Sequence, residues 1–101
     1  MPHIKFSDKA NTDLDRFEAF LQESAPEKVD EAIKTIFQGL KILKENAFAG
    51  TPQKYGFRKL TIPYGKNGYV ALYRYDQKAD IVLVETLRHM LELEPDFLRP
   101  F

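Results

Sequence analysis

Residues 57–89, FRKLTIPYGKNGYVALYRYDQKADIVLVETLRH, decide the fold. Apolar and polar residues alternate along them with a period of two, which indicates strands rather than helices. Two turns divide them, one at residues 65–68, where Asn67-Gly68 favours the positive φ of a tight hairpin, and one at residues 76–80. Residues 81–84 are apolar on both faces, which is typical of a central strand. The stretch therefore predicts three consecutive antiparallel strands, with the last one central in its sheet.

The N-terminal half of the chain has the period of an α-helix instead. Two apolar stripes recur every three or four residues, the first over residues 10–21 and the second over residues 29–43. Ser7 is placed to cap the first helix, and Pro26 lies early in the second after a short break. Helices joined by so few residues fold back as a hairpin. With a short strand at residues 3–6 before them and a loop after them, the predicted order is β-α-α-β-β-β.

Composition bounds the class of protein. The 101 residues carry 15 basic and 15 acidic side chains, two histidines and no cysteine. This length predicts a single α+β domain over residues 1–101, a helix hairpin packed on a small antiparallel sheet. Because the histidines lie at opposite ends of the chain and no cysteine can join them, we expect no metal site and no cofactor. No apolar run reaches the roughly 20 residues of a membrane span and no secretory leader is recognisable, which favours a cytoplasmic protein.

The zero net charge hides a segregation of charge along the chain. Residues 57–91 carry six basic and three acidic side chains, whereas residues 92–101 carry one basic and three acidic ones. Five cationic side chains lie on the predicted strands: Arg58, Lys59, Arg74, Arg88 and His89. In a meander such residues can converge on one face or one edge.

Two interpretations of this basic group remain open. Arginine binds phosphates bidentately or forms a charged hot spot against a protein, and histidine transfers protons near neutral pH. His89 is then a candidate general acid in RNA cleavage. The alternative is ordinary strand chemistry, in which cations solvate an exposed face and Arg74 pairs with Glu85.

Three segments of the chain resemble the RelE/ParE toxin superfamily. They are RKLTIPYG at residues 58–65, GYVALYRY at residues 68–75 and LRH at residues 87–89. The opening FSDKA at residues 6–10 and the helix hairpin fit the same superfamily, and the resemblance covers roughly residues 3–92. The resemblance implies a bacterial type II toxin–antitoxin system, in which a disordered antitoxin tail wraps the toxin, neutralises it and forms a hetero-oligomer with it.

The superfamily that the chain resembles includes two activities. RelE-like members are ribosome-dependent mRNA endonucleases, and this resemblance implies catalytic roles for Arg58, Arg74, Arg88 and His89. ParE-like members poison DNA gyrase, which would make the same four residues, together with Lys59, a target-binding set. The dense lysine cluster of the nucleases is missing, and a protein without net charge is a poor phosphate binder, so the ParE-like branch is favoured. A non-toxic binding module on the same fold is the third interpretation.

The tail at residues 92–101, ELEPDFLRPF, departs from the family pattern. Members that the chain resembles often end soon after the segment that matches Arg88-His89. Here several leucine and phenylalanine side chains follow that are costly to leave in water, and two prolines prevent a continuous helix. The tail either lies along its own sheet, where it would cover that segment, or contacts another molecule.

Overall fold

The α-helices and strands follow one another in the predicted order, with two small additions. The structure, a computed structural model, describes residues 1–94 and Leu98. The strands are β1 (His3–Phe6), β2 (Thr51–Pro52), β3 (Arg58–Tyr64), β4 (Asn67–Asp76) and β5 (Ile81–His89). The helices are α1 (Asp8–Ser24), α2 (Val29–Leu40) and α3 (Ile42–Glu45). The additions are the one-turn helix α3 and the two-residue strand β2, which lies where the sequence predicts a loop.

The sheet has the strand order β1-β5-β4-β3-β2. Strands β3, β4 and β5 form the predicted antiparallel meander. The middle strand of the sheet is β4, whereas β5, predicted to be central, is an inner strand between β1 and β4. The sheet is not purely antiparallel as predicted, because β1 pairs parallel with β5. In this pairing His3 lies opposite Ile81 and Phe6 lies opposite Val84. A parallel neighbour cannot be reached through a tight turn, and between β1 and β5 the chain passes through the helix hairpin and strands β2, β3 and β4.

The hairpin between β3 and β4 turns within the predicted residues 65–68 but uses only the first two of them. Asn67 pairs with Tyr64 and already belongs to β4, so Gly65 and Lys66 are the turn residues. Gly65 takes the positive φ of 62° that the sequence assigns to the Asn-Gly pair. Gly68 is required for a different reason, since a Cβ there would come within 2.2 Å of the Ile62 carbonyl oxygen.

The main core lies between the helices and one face of the sheet. Ser7 caps α1 as predicted, for its Oγ accepts from the Ala10 N–H at 3.0 Å and donates to the Glu85 carbonyl at 2.6 Å. The buried core residues that the helices and the sheet contribute are Ala10, Phe17, Ile36, Leu40, Leu43, Ile62, Tyr69, Ala71, Tyr73, Val82, Val84 and Leu87. The opposite face of the sheet is called here the outer face.

One carboxylate is buried in this core. Asp13 of α1 is 1% exposed, and its Oδ2 accepts from the backbone N–H of Leu87 at 2.9 Å. Lys9 pairs with the same carboxylate, and Arg16 approaches it to 3.4 Å. Asp13 therefore ties α1 to β5 just after the irregularity that leaves Glu85 without a partner in β4.

Candidate functional site

Two of the five predicted site residues lie on the helix-covered face. Directly paired residues of neighbouring strands point to the same face of a sheet. Arg58 pairs with Tyr73, and His89 pairs with Tyr69, and both tyrosines point into the main core. Arg58 and His89 lie beside positions four residues apart on β4, so the fold does not bring them together.

The other three lie on the outer face. Lys59 pairs with Leu72, which lies on the face opposite the helices, and Arg74 follows Leu72 by two residues on β4. Arg88 pairs with Val70 on the same face. The predicted convergence of five cations on one face is therefore met by Lys59, Arg74 and Arg88 alone.

Arg58 holds a loop rather than facing solvent. Its Nη1 donates to the carbonyl oxygens of Gly50 at 2.8 Å and Phe48 at 3.1 Å, and its guanidinium lies 4.9 Å from the Phe48 ring centroid. The Tyr73 hydroxyl fixes the same loop, accepting from the Gly50 N–H at 2.8 Å and donating to the Ala47 carbonyl at 2.9 Å. Burial raises the pKa of Tyr73 despite the opposing effects of this N–H and of Arg58.

Arg74 is the most exposed of the three outer-face cations. Its side chain is 48% exposed, and its guanidinium lies 3.8 Å from the ring centroid of Phe57. The expected pairing with Glu85 is present, with Nε and Oε1 at 4.0 Å. Stacked on an aromatic ring but open to solvent on its other side, Arg74 is presented in a fixed direction.

Lys59 and Arg88 meet at one carboxylate. Oε1 of Glu94 lies 3.4 Å from Lys59 Nζ and 3.7 Å from Arg88 Nη2. Arg88 is only 15% exposed, and its Nη1 also donates to the backbone carbonyl of Glu92 at 3.0 Å. The residues after β5 therefore cover these two cations.

His89 is engaged by the same segment. Its backbone N–H donates to Glu92 Oε1 at 2.8 Å, and its Nδ1 accepts from the Leu91 N–H at 3.2 Å. The ring lies edge-on to Tyr69, with 5.5 Å between centroids. Because Nδ1 accepts, the neutral imidazole carries its proton on Nε2, the one ring nitrogen left for proton transfer.

The sequence predictions missed the residues that surround this cluster. Arg16 of α1 reaches Glu92 with 2.7 Å between Nη1 and Oε2, and together with Lys9 and Arg88 it lines a cleft of about 400 Å³. The sequence contains one signal for this pairing of the tail with basic residues. Basic residues are in excess over residues 57–91, and acidic residues are in excess from position 92 onward. The predicted tail thus lies along its own sheet at Glu92, Glu94 and Leu98, and residues 95–97 and 99–101 lie outside the described residues.

A second cleft, of about 440 Å³, runs along the unpaired edge of β1. The N–H of His3 donates to the carbonyl of Asp80, just before β5, and that of Ser7 donates to Val84 of β5. The residues between them alternate, so Ile4 and Phe6 turn their backbone groups away from the sheet. The far side of the cleft is α2 with its continuation and includes Phe37, which is partly exposed, and two exposed lysines, Lys41 and Lys44. The cleft therefore offers an apolar floor, a basic rim and an unpaired strand edge.

Other kinds of site are not represented in the described part of the chain. Residues 1–94 and Leu98 contain no group of three histidine, aspartate or glutamate side chains that could hold a metal ion. Their helices are too short or too polar to span a bilayer. The two histidines are also far apart, since His3 pairs with the first residue of β5 and His89 is the last.

Comparison with known proteins identifies the family. A family model described as the ParE toxin of type II toxin–antitoxin system, parDE, matches residues 4–93. The chain belongs to the ParE toxin family. The superfamily inferred from three segments of the C-terminal half, and the α+β fold, are both confirmed.

Two relatives of this ParE-family chain cover nearly all of it. Toxin RelE3 of Caulobacter vibrioides is 29% identical over 92 residues, which is 91% of this chain and 98% of the relative. A chain of the chromosomal ParDE toxin–antitoxin system from P. aeruginosa is 26% identical and superimposes with a TM-score of 0.76. That match covers 89% of this chain and 97% of the other. The relatives thus include proteins named for each branch of the superfamily, so their names leave the target of this toxin open.

Proposed function

We propose that this ParE-family toxin acts in the cytoplasm by poisoning DNA gyrase, and that it binds gyrase through the outer face of its sheet. The observation that carries the proposal is the division of the cations between the two faces. Arg74 and Arg88 point outward, whereas His89 points to the helix-covered face because consecutive strand residues alternate. A protein-binding surface needs the outward cations alone.

Cleavage of RNA makes stricter demands. It needs cations to stabilise the charge on a pentavalent phosphorane and a proton donor within hydrogen-bond reach of the leaving oxygen. Here Arg58 is bonded to loop carbonyls, and the Nδ1 atom of His89 is bonded to a backbone N–H. The group that would transfer the proton therefore lies on the face opposite Arg74 and Arg88, and Arg58, which shares its face, is engaged by the loop. This separation favours binding over catalysis.

Ribosome-dependent mRNA cleavage is the second candidate, and the similarity to toxin RelE3 favours it. In that case the outer face would have to rearrange so that His89 and Arg88 reach one phosphate. A non-toxic binding module remains a third candidate, and harmless overexpression of the protein would support it.

An antitoxin is the expected protein partner, since the chain superimposes on a member of a ParDE toxin–antitoxin system. The helical side of the molecule has the exposed apolar side chains for it, with Phe20 on α1 and Phe37 and Ile42 along α2 and α3. A disordered antitoxin segment that folds on this surface and pairs with the edge of β1 would pay about 2–5 kcal/mol in ordering. We expect its gene to lie beside that of the toxin.

One paired assay tests the target. Purified toxin is added to gyrase in a supercoiling reaction and, separately, to ribosomes programmed with mRNA. We expect inhibited supercoiling with trapped, cleaved DNA, and intact mRNA. Cleavage of mRNA on the ribosome without any effect on gyrase would replace the proposal with the nuclease.

A further inference from the structure

The residues that follow β5 supply carboxylates to a group of cations. Glu92 pairs with Arg16 at 2.7 Å, and Glu94 lies between Lys59 at 3.4 Å and Arg88 at 3.7 Å. The two acidic residues are separated by one position, and they contact cations from three elements, α1, β3 and β5. This set of three cations is called here the basic triplet.

The same segment is attached to the sheet at an apolar point. Leu98 is 8% exposed and packs against Phe57 and Leu72 on the outer face. Leu72 is the partner of Lys59 in the β3–β4 ladder, so the apolar contact lies next to the triplet. Two carboxylates followed four residues later by a leucine are therefore matched by cations beside an apolar patch.

These contacts are of a kind that another molecule can replace. The ion pairs join side chains that remain partly exposed, with 28% exposure for Glu94 and 45% for Arg16, and pairs of that kind are individually weak. If Glu92 and Glu94 moved away, Arg16 would keep the carboxylate of Asp13 beside it. Lys59 and Arg88 would lose Glu94, the acidic side chain that they share. The surface beneath the segment is thus strongly basic only when the segment leaves it.

We propose that the basic triplet, Arg16, Lys59 and Arg88, with the apolar patch beside it, is a binding surface for an acidic, leucine-containing segment of a protein partner. The chain's own residues Glu92, Glu94 and Leu98 occupy that surface until the partner displaces them. Identifying the partner as the antitoxin rests on the proposed function, whereas the existence of the surface does not. A peptide fits better than a nucleic acid, because the present occupant combines carboxylates with an apolar anchor and three cations give few phosphate contacts.

Peptide binding to the full-length protein tests the surface. The probe is a fluorescein-labelled synthetic peptide with the sequence of residues 90–101, MLELEPDFLRPF, followed by fluorescence anisotropy. The variant Glu92→Gln/Glu94→Gln weakens the intramolecular occupant, and Glu27→Gln/Glu31→Gln is the matched control, since both control residues are exposed and lie on the helical side. We expect the first variant to bind the peptide about 3- to 30-fold more tightly than the wild type and the control.

A further change assigns the gain to the triplet. Adding Lys59→Gln to the Glu92→Gln/Glu94→Gln variant should remove most of the gained affinity, and thermal unfolding monitors that all variants stay folded. If a variant does not fold, the salt dependence of peptide binding to the wild type replaces it, and the affinity should fall between 50 and 500 mM NaCl. Equal peptide affinity in every variant, or affinity that does not respond to salt, would overturn the proposal.

A labelled single-stranded RNA oligonucleotide provides the competing outcome. If the Glu92→Gln/Glu94→Gln variant gains RNA binding and no peptide binding, the surface is a nucleic-acid site and the proposal is wrong. No gyrase or ribosome enters either assay, so a toxin that fails them can still poison gyrase, and one that passes them can still prove to be a nuclease.

Discussion

The two faces of the sheet are built from alternate residues of the same strands but are covered in different ways. On β4, Tyr69, Ala71 and Tyr73 pack under two helices, whereas Leu72 and Arg74 point to the outer face. The helix-covered face is held by close-packed apolar side chains and buried hydrogen bonds. Among the described residues, those that cover the outer face do so through partly exposed ion pairs and through Leu98. The same strand therefore has one close-packed face and one whose contacts are partly exposed.

Removing a leucine from each face is the most direct way to break this comparison. Leu87 is 1% exposed in the main core, and Leu87→Ala should destabilise the protein by about 2–5 kcal/mol. Leu98→Ala removes the same atoms from the contact that the C-terminal segment makes with the outer face. Because we expect that segment to be displaceable, the loss in free energy of unfolding should be about 1 kcal/mol or less. Urea unfolding of both variants measures the difference, and equal losses would mean that the outer face is packed as firmly as the core.

The buried carboxylate tests how strongly the stability of the helix-covered face depends on one buried polar side chain. Asp13→Ala leaves the Leu87 N–H without its acceptor in the core, which should cost about 1–3 kcal/mol. Asp15→Ala, on the exposed side of the same helix, is the control and should stay within about 0.5 kcal/mol of the wild type. A small loss for Asp13→Ala would show that water takes over the acceptor role.

The pH dependence of stability tests a second buried polar group on the helix-covered face, the hydroxyl of Tyr73. Tyr73→Phe removes the hydroxyl that joins the Gly50 N–H and the Ala47 carbonyl, at a cost of about 1–2 kcal/mol near pH 7. Burial raises the pKa of Tyr73 in the folded state above its unfolded value of 10.0, so the neutral phenol contributes stability that is complete below pH 10. That contribution is lost as the pH rises through the folded pKa. Stability curves for wild type and Tyr73→Phe should therefore converge above pH 10, and parallel curves would contradict the assignment.

The outer face gives the smallest expected effect on stability and the largest on toxicity. Arg74→Ala should change unfolding by less than about 1 kcal/mol but weaken target binding by about 1–3 kcal/mol, because it truncates a stacked and exposed arginine. His89→Gln should leave toxicity nearly unchanged, since a gyrase poison transfers no proton. Lys78→Ala, in the exposed turn before β5, is the control. Growth arrest on induction measures the toxicity of the three variants, and loss of toxicity in His89→Gln would point to the nuclease.

The sequence predicted the meander well because antiparallel strands bury every second residue, and that alternation is visible between positions 57 and 89. The same alternation separates the five predicted site residues. Arg58 and Lys59 are adjacent, as are Arg88 and His89, and adjacent strand residues point to opposite faces, so the five cations were never able to share one face. The alternation alone was enough to separate them.

Other features lie beyond local patterns. The burial of Asp13 depends on a backbone N–H 74 residues away, and an aspartate on a helix otherwise indicates a solvated side. The pairing of Glu94 with Lys59 joins residues 35 positions apart. The parallel pairing of β1 likewise depends on a partner at the other end of the chain. Such contacts follow from the assembled fold and leave no periodicity in the sequence.

The parallel pairing of β1 with β5 also determines when the molecule can fold. Ser7 donates to the Glu85 carbonyl across 78 positions, and the four residues of β1 have their strand partner in residues 81–84. Long-range contacts of this kind carry a large loop-closure entropy and slow the folding rate. During synthesis the N-terminal strand must wait for the last strand to be translated, while the helix hairpin can already form locally. The sheet is therefore completed only after β5 has been translated, which leaves a window in which the helix hairpin of an unfinished chain has no complete sheet to pack against.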